Sequence, residues 1–396
     1  MNAILILTQR LRDGYGVSVL VDSLARELVK LGHETVVGCF DMDHSKRPYS
    51  AYLIRPQIED VRALARSLGK PHIVAQTSPF FELLPELAGD FPCWAWENGD
   101  PTPSLFSTDR KERETTKANK ETNVYPKLYG VCVISDFLRH DINYLNSKVI
   151  HLGCDHAPDL GGKAFNLSGI ESTQPLKIGT LMRLGEGEAQ YKGNEIFMQL
   201  CQDLKSASIP IEAYVMGKGS EADARSFKEA GIQVKLNASE SEKWEYLRSL
   251  DIFVSCSLWE GFNLPLVEAQ AMGTVAFAFD VGAHPEVTPY VFSDLPSMVT
   301  VIRRFSQDRE LLHRACKASY SLTRSQFKWS KAALELVDFL GITKASHFRS
   351  RGLFEIRFGI LFAVRNGIRR FQSSLKSNGW RSTTARLYQR AKMKLK

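Results

Sequence analysis

Two α/β domains, each built around a parallel sheet, are the fold class this sequence predicts, and three observations carry the prediction. The chain has 396 residues, more than one hydrophobic core usually organises. Short apolar runs alternate with helical periodicities from residue 3 to residue 341, the rhythm of strands covered by helices on both faces. A Gly-, Ser- and Pro-rich stretch without periodicity, residues 156–175 (HAPDLGGKAFNLSGIESTQP), divides the alternation into two series. The resulting organisation is a first domain over 1–155, a linker over 156–175, a second domain over 176–326, a late helix over 327–341 and a tail over 342–396.

The first series opens with the central strand AILIL, residues 3–7, and the loop TQRLRDGYG. In VSVLVDSLARELVKLG, Val17, Leu20, Val21, Leu24, Leu28 and Leu31 recur at helical spacing, and Gly32 can supply the C-cap. TVVGCF returns as a strand and completes a βαβ unit, which is normally right-handed. IEDVRALARSL reads as a helix, HIVAQ and FPCWAWE as strands, and residues 107–120 (STDRKERETTKANK) as a charged helix face or an ordered loop. YGVCVIS is a strand, Ser135 is placed to N-cap SDFLRHDINYL, and KVIHLGCD closes the domain.

The second series has strands in PLKIGTLMRL, IEAYVMG, IQVKL, IFVSCS and VAFAF, with EIFMQLCQDLK, ADARSFKEAG and KWEYLRSL as intervening helices. The late helix FKWSKAALELVDFLG presents Ala332, Leu336, Phe339 and Leu340 as a contact stripe.

Composition narrows the function classes. The seven cysteines are scattered, odd in number and form no Cys-x-x-Cys pair. That argues for buried free thiols in a reducing compartment, against a disulfide framework or zinc site. MNAILILTQRL has a brief apolar stretch, lacks a basic leader and runs into Arg10 and Arg12, so a buried strand fits better than a secretory signal. No run is apolar for long enough to predict a transmembrane helix. The formal charge of +7 is unevenly spread: residues 341–396 hold 14 Lys/Arg and one Asp/Glu, leaving 37 basic and 43 acidic residues before them. A partner attracted by positive charge therefore meets the tail. The nine histidines are dispersed, and Asp41-Met42-Asp43 reads as a loop beside His44, so no metal site and no cofactor are expected.

WEGFNLPLVEAQAMG, residues 259–273, is the most informative stretch. It follows IFVSCS, whose end should lie at the carboxyl edge of a parallel sheet, where open α/β folds bind ligands. Glu260 then falls in the edge loop, Pro265 in the first helical turn, and Glu268 just beyond it, with Gly273 ending the helix. A loop glutamate can accept hydrogen bonds from hydroxyls; one near a helix start can grip a ribose diol while free N–H groups hold phosphate. Two solvated glutamates fit the bare spacing equally well.

The surrounding residues resemble the E-x7-E signature of retaining glycosyltransferases with two facing Rossmann-like domains, the GT-B fold of glycosyltransferase family 4, or glycosyl transferases group 1. The same resemblance runs through GYGVSVLVDSLARELVKLGHE, VISDFLR, VIHLGCD and TLMRL…YKG, in order over roughly residues 1–340. It implies that Glu260 contacts the donor sugar near its reacting end, within a loop of Gly261, Phe262, Asn263 and Leu264, and that Glu268 contacts the ribose. It implies further that Arg183 and Lys192 hold the donor diphosphate and that KLNAS faces the base, where Leu236 fits a base contact or the core equally. Gly217 and Gly219 in VMGKG follow another strand end, where, beside Lys218, they fit either close approach to the nucleotide or an ordinary turn. Gly14 and Gly16 would cap the diphosphate or sugar from the first domain. As Val19 stands where G-x-G-x-x-G needs glycine, a dinucleotide fingerprint is a poor reading. The late helix would return toward the N-terminal domain.

Many members of the family place a histidine near the donor sugar after a first-domain strand. Here FPCWAWENGD occupies that region, with Trp94, Trp96 and Glu97 and no histidine. Glu97 is the candidate replacement, and Trp96 fits either a sugar-stacking ring or, with Trp94, a buried strand face. His151 in VIHLGCDH fits a hinge or core role better than catalysis.

The expected activity is retaining transfer from a nucleoside-diphosphate sugar to a cell-surface glycan or glycolipid. The alternative is a non-catalytic carbohydrate- or nucleotide-binding component of an assembly complex. In the tail, Phe354, Phe358, Leu361, Ile368 and Phe371 follow helical intervals among Arg357, Arg365, Arg369 and Arg370. That pattern suits an anionic membrane surface and a cytoplasmic, peripheral location, while a helix docked on the protein also fits. Nothing accompanies it that would read nucleic acid.

Overall fold

The computed structural model describes residues 3–12, 14–160, 174–185 and 189–342. Among them, short strands, most of them apolar and buried, assemble into two all-parallel sheets. The first contains β1 (Ile4–Leu11), β2 (Thr35–Met42), β3 (Ser50–Leu53), β4 (His72–Ala75), β5 (Cys93–Glu97), β6 (Gly130–Val133) and β7 (Ser147–Val149). Their order is β3-β2-β1-β4-β5-β6-β7. The second contains β8 (Leu176–Arg183), β9 (Ile211–Lys218), β10 (Gln233–Leu236), β11 (Ile252–Ser255), β12 (Val275–Phe279) and β13 (Tyr290–Phe292). Their order, β10-β9-β8-β11-β12-β13, repeats the doubly wound pattern. In both sheets the order reverses beside the first strand, β1/β4 and β8/β11, so a ligand crevice is expected at each carboxyl edge there.

The predicted first helix spans Gly16–Lys30 and buries Leu20, Val21, Leu24 and Leu28. The charged run resolves as the helix Arg110–Asn119, which buries none of its residues, followed by a single wider turn, Lys120–Val124, where Lys120 is buried. Around the second sheet, Phe197, Phe227, Phe277 and Phe305 lie in one continuous core. β3, β13 and the helices Leu295–Gln307 and Arg309–Gln326 add to the elements read from sequence. The late helix, Trp329–Phe339, packs against the helix Gly16–Lys30 of the first domain. All seven cysteines are buried and free.

Among the described residues, no helix is long and apolar enough to cross a membrane. The basic tail, apart from Ile342, and most of the interdomain linker lie outside the described residues.

Candidate active site

The second sheet sets the frame. After β11 the chain turns through Glu260–Asn263 and enters the helix Leu264–Ala271, with Pro265 in its first turn. Asn263 adopts φ +67°, and its side-chain oxygen caps the Leu266 N–H at 3.3 Å. Its amide nitrogen donates to Ser255 Oγ at 2.8 Å and to His284 Nε2 at 2.9 Å. His284 can accept there because its Nδ1 donates to the Phe279 carbonyl at 2.8 Å. Burial keeps this imidazole neutral by lowering its pKa. The Glu260 carbonyl is fixed in turn by the Ala283 N–H at 2.9 Å. The loop is thus held by its own side chains, a preorganised platform.

Cations converge on it. Lys192 donates to Glu260 Oε1 at 2.8 Å. The next residue, Gly193, takes φ +74° beneath the Cys256 carbonyl, where a Cβ has no room. Arg183 ends β8 and Lys218 ends β9, one strand over. Both meet the first domain through Tyr15: the Lys218 ammonium stands 3.7 Å and the Arg183 guanidinium 5.5 Å from the ring centroid, with Arg10 at 4.4 Å. Gly14 (φ +77°) passes so near Lys218 Nζ that an added Cβ would lie 2.8 Å away.

These groups line one cavity of about 470 Å³, a size suited to a small-molecule ligand. Gly14, Gly16, Asn98 and Gly99 contribute from the first domain; Arg183, Lys192, Gly217, Lys218 and the Glu260–Leu264 loop contribute from the second. Fixed cations, a nearby carboxylate and two glycine-bearing loops can hold a diphosphate and stabilise negative charge as it develops on a departing phosphate oxygen.

Glu268 stands immediately beside this cavity and is only 3 % exposed. Its Oε1 accepts from Lys243 Nζ at 3.0 Å and His156 Nε2 at 2.8 Å. Burial would raise its pKa, but Lys243 and His156 outweigh that and hold it below the usual carboxylate value. Lys243 lines the cavity, and its own pKa is raised because Glu268 and Glu240 overcome the effect of burial. It was missed in the sequence, although Ser239 and Glu242 form a legible capping box that puts Lys243 in the first helical turn. His156 carried no such signal.

Besides Glu268, the expected residues Leu236, Trp96 and Glu97 are not brought into the cavity lining. Leu236 packs against the second-domain core, and Ala238 lines the cavity at that level. Trp96 is fully buried, which selects the strand-face reading, and Trp94 stacks on His72 at 5.1 Å. Glu97 accepts from Gly99 N at 2.8 Å, Lys120 Nζ at 2.9 Å and Tyr125 Oη at 2.6 Å, all within its own domain. Its backbone neighbours Asn98 and Gly99 reach the cavity instead. His151 Nε2 donates to Glu286 Oε2 at 3.0 Å, in a contact between the domains. With Asp136 these two form the grouping of metal-type ligands found among the described residues, but Glu286 is already occupied by the Asp136 and Phe137 N–H groups.

Residues 177–308 match the family model described as glycosyl transferases group 1. A segment is 34 % identical over 92 residues to the lipopolysaccharide core biosynthesis mannosyltransferase LpsB of Rhizobium meliloti (strain 1021), covering 21 % of this chain and 26 % of that protein. The chain therefore matches about a quarter of that relative's length. Among solved structures, sucrose-phosphate synthase from Thermosynechococcus elongatus superposes with a TM-score of 0.68 at 15 % identity, over 85 % of this chain and 98 % of the other. HepE from Anabaena, solved in complex with UDP-glucose, gives 0.66 at 14 % identity over 85 % and 99 %. WaaG, a glycosyltransferase involved in lipopolysaccharide biosynthesis, gives 0.63 at 11 % identity over 85 % and 99 %. These superpositions establish the two-Rossmann-domain GT-B fold. The match to the glycosyl transferases group 1 model falls within the second domain of that fold.

Proposed function

We propose that the protein is a retaining glycosyltransferase of family 4 that moves a sugar from a nucleoside-diphosphate sugar to a cell-surface glycan or glycolipid. The observation that carries this reading is the meeting of Arg183, Lys192, Lys218 and Glu260 in one cavity between two sheets. The donor lies on the second domain: Arg183, Lys192 and Lys218 face its diphosphate, Glu260 its sugar hydroxyls, and Glu268 its ribose. The acceptor enters from the side of the first domain. The acceptor oxygen forms a bond to the anomeric carbon on the face from which the phosphate departs. The bond from that carbon to the phosphate oxygen breaks, and the departing oxygen takes the acceptor proton. Positive charge around the diphosphate then stabilises the transition state more than the bound donor. No metal is required in this reading, since the side-chain cations take the diphosphate charge.

The LpsB relative's role in lipopolysaccharide core biosynthesis, and HepE's complex with UDP-glucose, favour a glycan acceptor and a nucleotide-sugar donor. The basic, Phe- and Arg-rich tail suits a cytoplasmic enzyme resting on an anionic membrane. Vesicle binding equal for the full chain and for residues 1–340 would remove that part of the proposal.

A screen of nucleotide sugars for protection against unfolding identifies the donor. Transfer assays with that donor then test the chemistry: nucleoside diphosphate should be released together with glycosylated acceptor. Donor binding without any transfer across glycan and glycolipid acceptors would instead favour a non-catalytic binding component.

A further inference from the structure

The bonds of His156 fix more than a ring. Trp329 Nε1 lies 2.9 Å from His156 Nδ1, and an indole nitrogen can only donate. His156 Nδ1 is therefore the acceptor, which leaves the ring proton of the neutral imidazole on Nε2. That atom lies 2.8 Å from Glu268 Oε1, a carboxylate oxygen that can only accept. The tautomer follows from the two partners, and the hydrogen bond to Glu268 has one possible direction.

The ring has little freedom to leave this arrangement. Trp244 and Trp329 flank it with centroids 5.7 and 5.9 Å away. Trp329 is itself anchored, its backbone N–H donating to Asp155 Oδ1 at 2.8 Å and its side chain buried. On the other side of Glu268, Lys243 is shared with Glu240 at 2.9 Å, and Glu240 is the more exposed carboxylate of the two. Lys243 alone would leave the Glu268 carboxylate tied to a lysine with a second, competing partner. His156 supplies a hydrogen bond that no competing acceptor shares among the described residues.

We infer that His156, held in the Nε2–H tautomer by Trp329, is a positioning residue that aims the Glu268 carboxylate at the ribose diol. This rests on the reading of Glu268 as the ribose contact. His156 follows the last strand of the first domain, and Trp329 opens the helix that packs on that domain's Gly16–Lys30 helix. The two segments that pass between the domains thus set the orientation of a nucleotide-binding group in the second. Donor selectivity is in this way tied to the alignment of the crossing segments.

The test uses ribose itself. UDP, ADP and GDP are titrated calorimetrically into the full chain, and the best binder is compared with its 2′-deoxy form. The wild type prefers the ribonucleotide. His156→Ala lowers that preference roughly tenfold by removing one hydrogen bond to a charged group, whereas a merely structural role would weaken both ligands alike. His156→Gln, whose amide places an N–H near the original Nε2, restores most of the preference, and Trp329→Phe, which keeps an aromatic ring but loses the donor, gives an intermediate value. Equal weakening of both ligands by His156→Ala, or no change, overturns the inference while Glu268→Gln still reports on the ribose contact. Should the wild type and Glu268→Gln show the same ribose preference, the assignment of Glu268 falls and the inference with it.

Discussion

Two glutamate–lysine pairs stand near the carboxyl edges of the two sheets, and they are built in opposite ways. Glu97 and Lys120, in the first domain, have side chains 3 % and 4 % exposed. Every oxygen of Glu97 is bonded, and Lys120 has a second carboxylate, Asp100, at 2.5 Å. Glu260 and Lys192, in the second domain, make one bond to each other at 2.8 Å and both line the cavity. The first pair is enclosed by its own domain; the second faces the cavity between the domains. Carboxylate and ammonium alone do not mark a catalytic centre. What separates the two pairs is position: one is shut inside its own domain, the other lines the cavity.

The largest expected effect comes from breaking the enclosed pair. Lys120→Met leaves the Glu97 charge buried without its cation and should cost roughly 3–5 kcal/mol of unfolding free energy. Adding Glu97→Gln should recover much of that loss, measured by denaturant unfolding of both variants. Burial tends to raise the Glu97 carboxyl, but Lys120, Tyr125 and the Gly99 N–H hold its pKa below the usual value. A loss below about 1 kcal/mol in Lys120→Met would show that the pair is not the brace described here.

The open pair should respond in reverse. Glu260→Gln keeps the shape of the loop, whose backbone is held by Asn263, Ala283 and His284. Turnover should fall about 10²–10³-fold, while unfolding stability changes by less than about 1 kcal/mol. Normal transfer by Glu260→Ala at saturating donor would defeat the role assigned to Glu260.

Much of this contrast was legible in the sequence, and the part that was not has a physical cause. The strand at IFVSCS and the helix after Pro265 are local signals, so the edge placement of Glu260 could be read directly. The same holds for the Gly16–Lys30 helix, with its apolar stripe. β3 is only four residues long and half-exposed, so it leaves little pattern to detect. The helices Leu295–Gln307 and Arg309–Gln326 do carry readable N-caps, Asp294 and Asp308. Side-chain partnerships across long separations are harder to read. Lys120 lies 23 residues from Glu97, and His156 lies 112 from Glu268. No spacing rule joins such pairs, because the sheet topology brings them together. The family resemblance put Glu97 near a sugar; the fold turns its carboxylate inward, and Asn98 and Gly99 of the same loop line the cavity instead.

A third carboxylate sharpens the comparison, being neither enclosed within one domain nor open to the cavity. Glu286, on the short helix His284–Val287, reaches across to the first domain. Its Oε1 accepts from Phe137 N at 2.8 Å, and its Oε2 from Asp136 N at 2.9 Å, next to His151 Nε2 at 3.0 Å. The two N–H groups belong to the first turn of the helix Asp136–Asp141, so a residue of one domain caps a helix of the other. Burial would raise the Glu286 carboxyl, but His151 and the two N–H groups hold its pKa below the ordinary value. The unfolded chain restores a value near 4.3. The contribution of this contact is therefore fully present above about pH 4.3 and declines as pH falls through the lower folded value. Glu286→Gln keeps one acceptor but loses the charge, and should cost about 1 kcal/mol at neutral pH. It should also flatten the acid side of the stability profile, because the mutant has no carboxyl to protonate there. Denaturant unfolding between about pH 3 and pH 7 measures both effects; acid limbs that superpose for mutant and wild type would mean that the interdomain cap adds no stability.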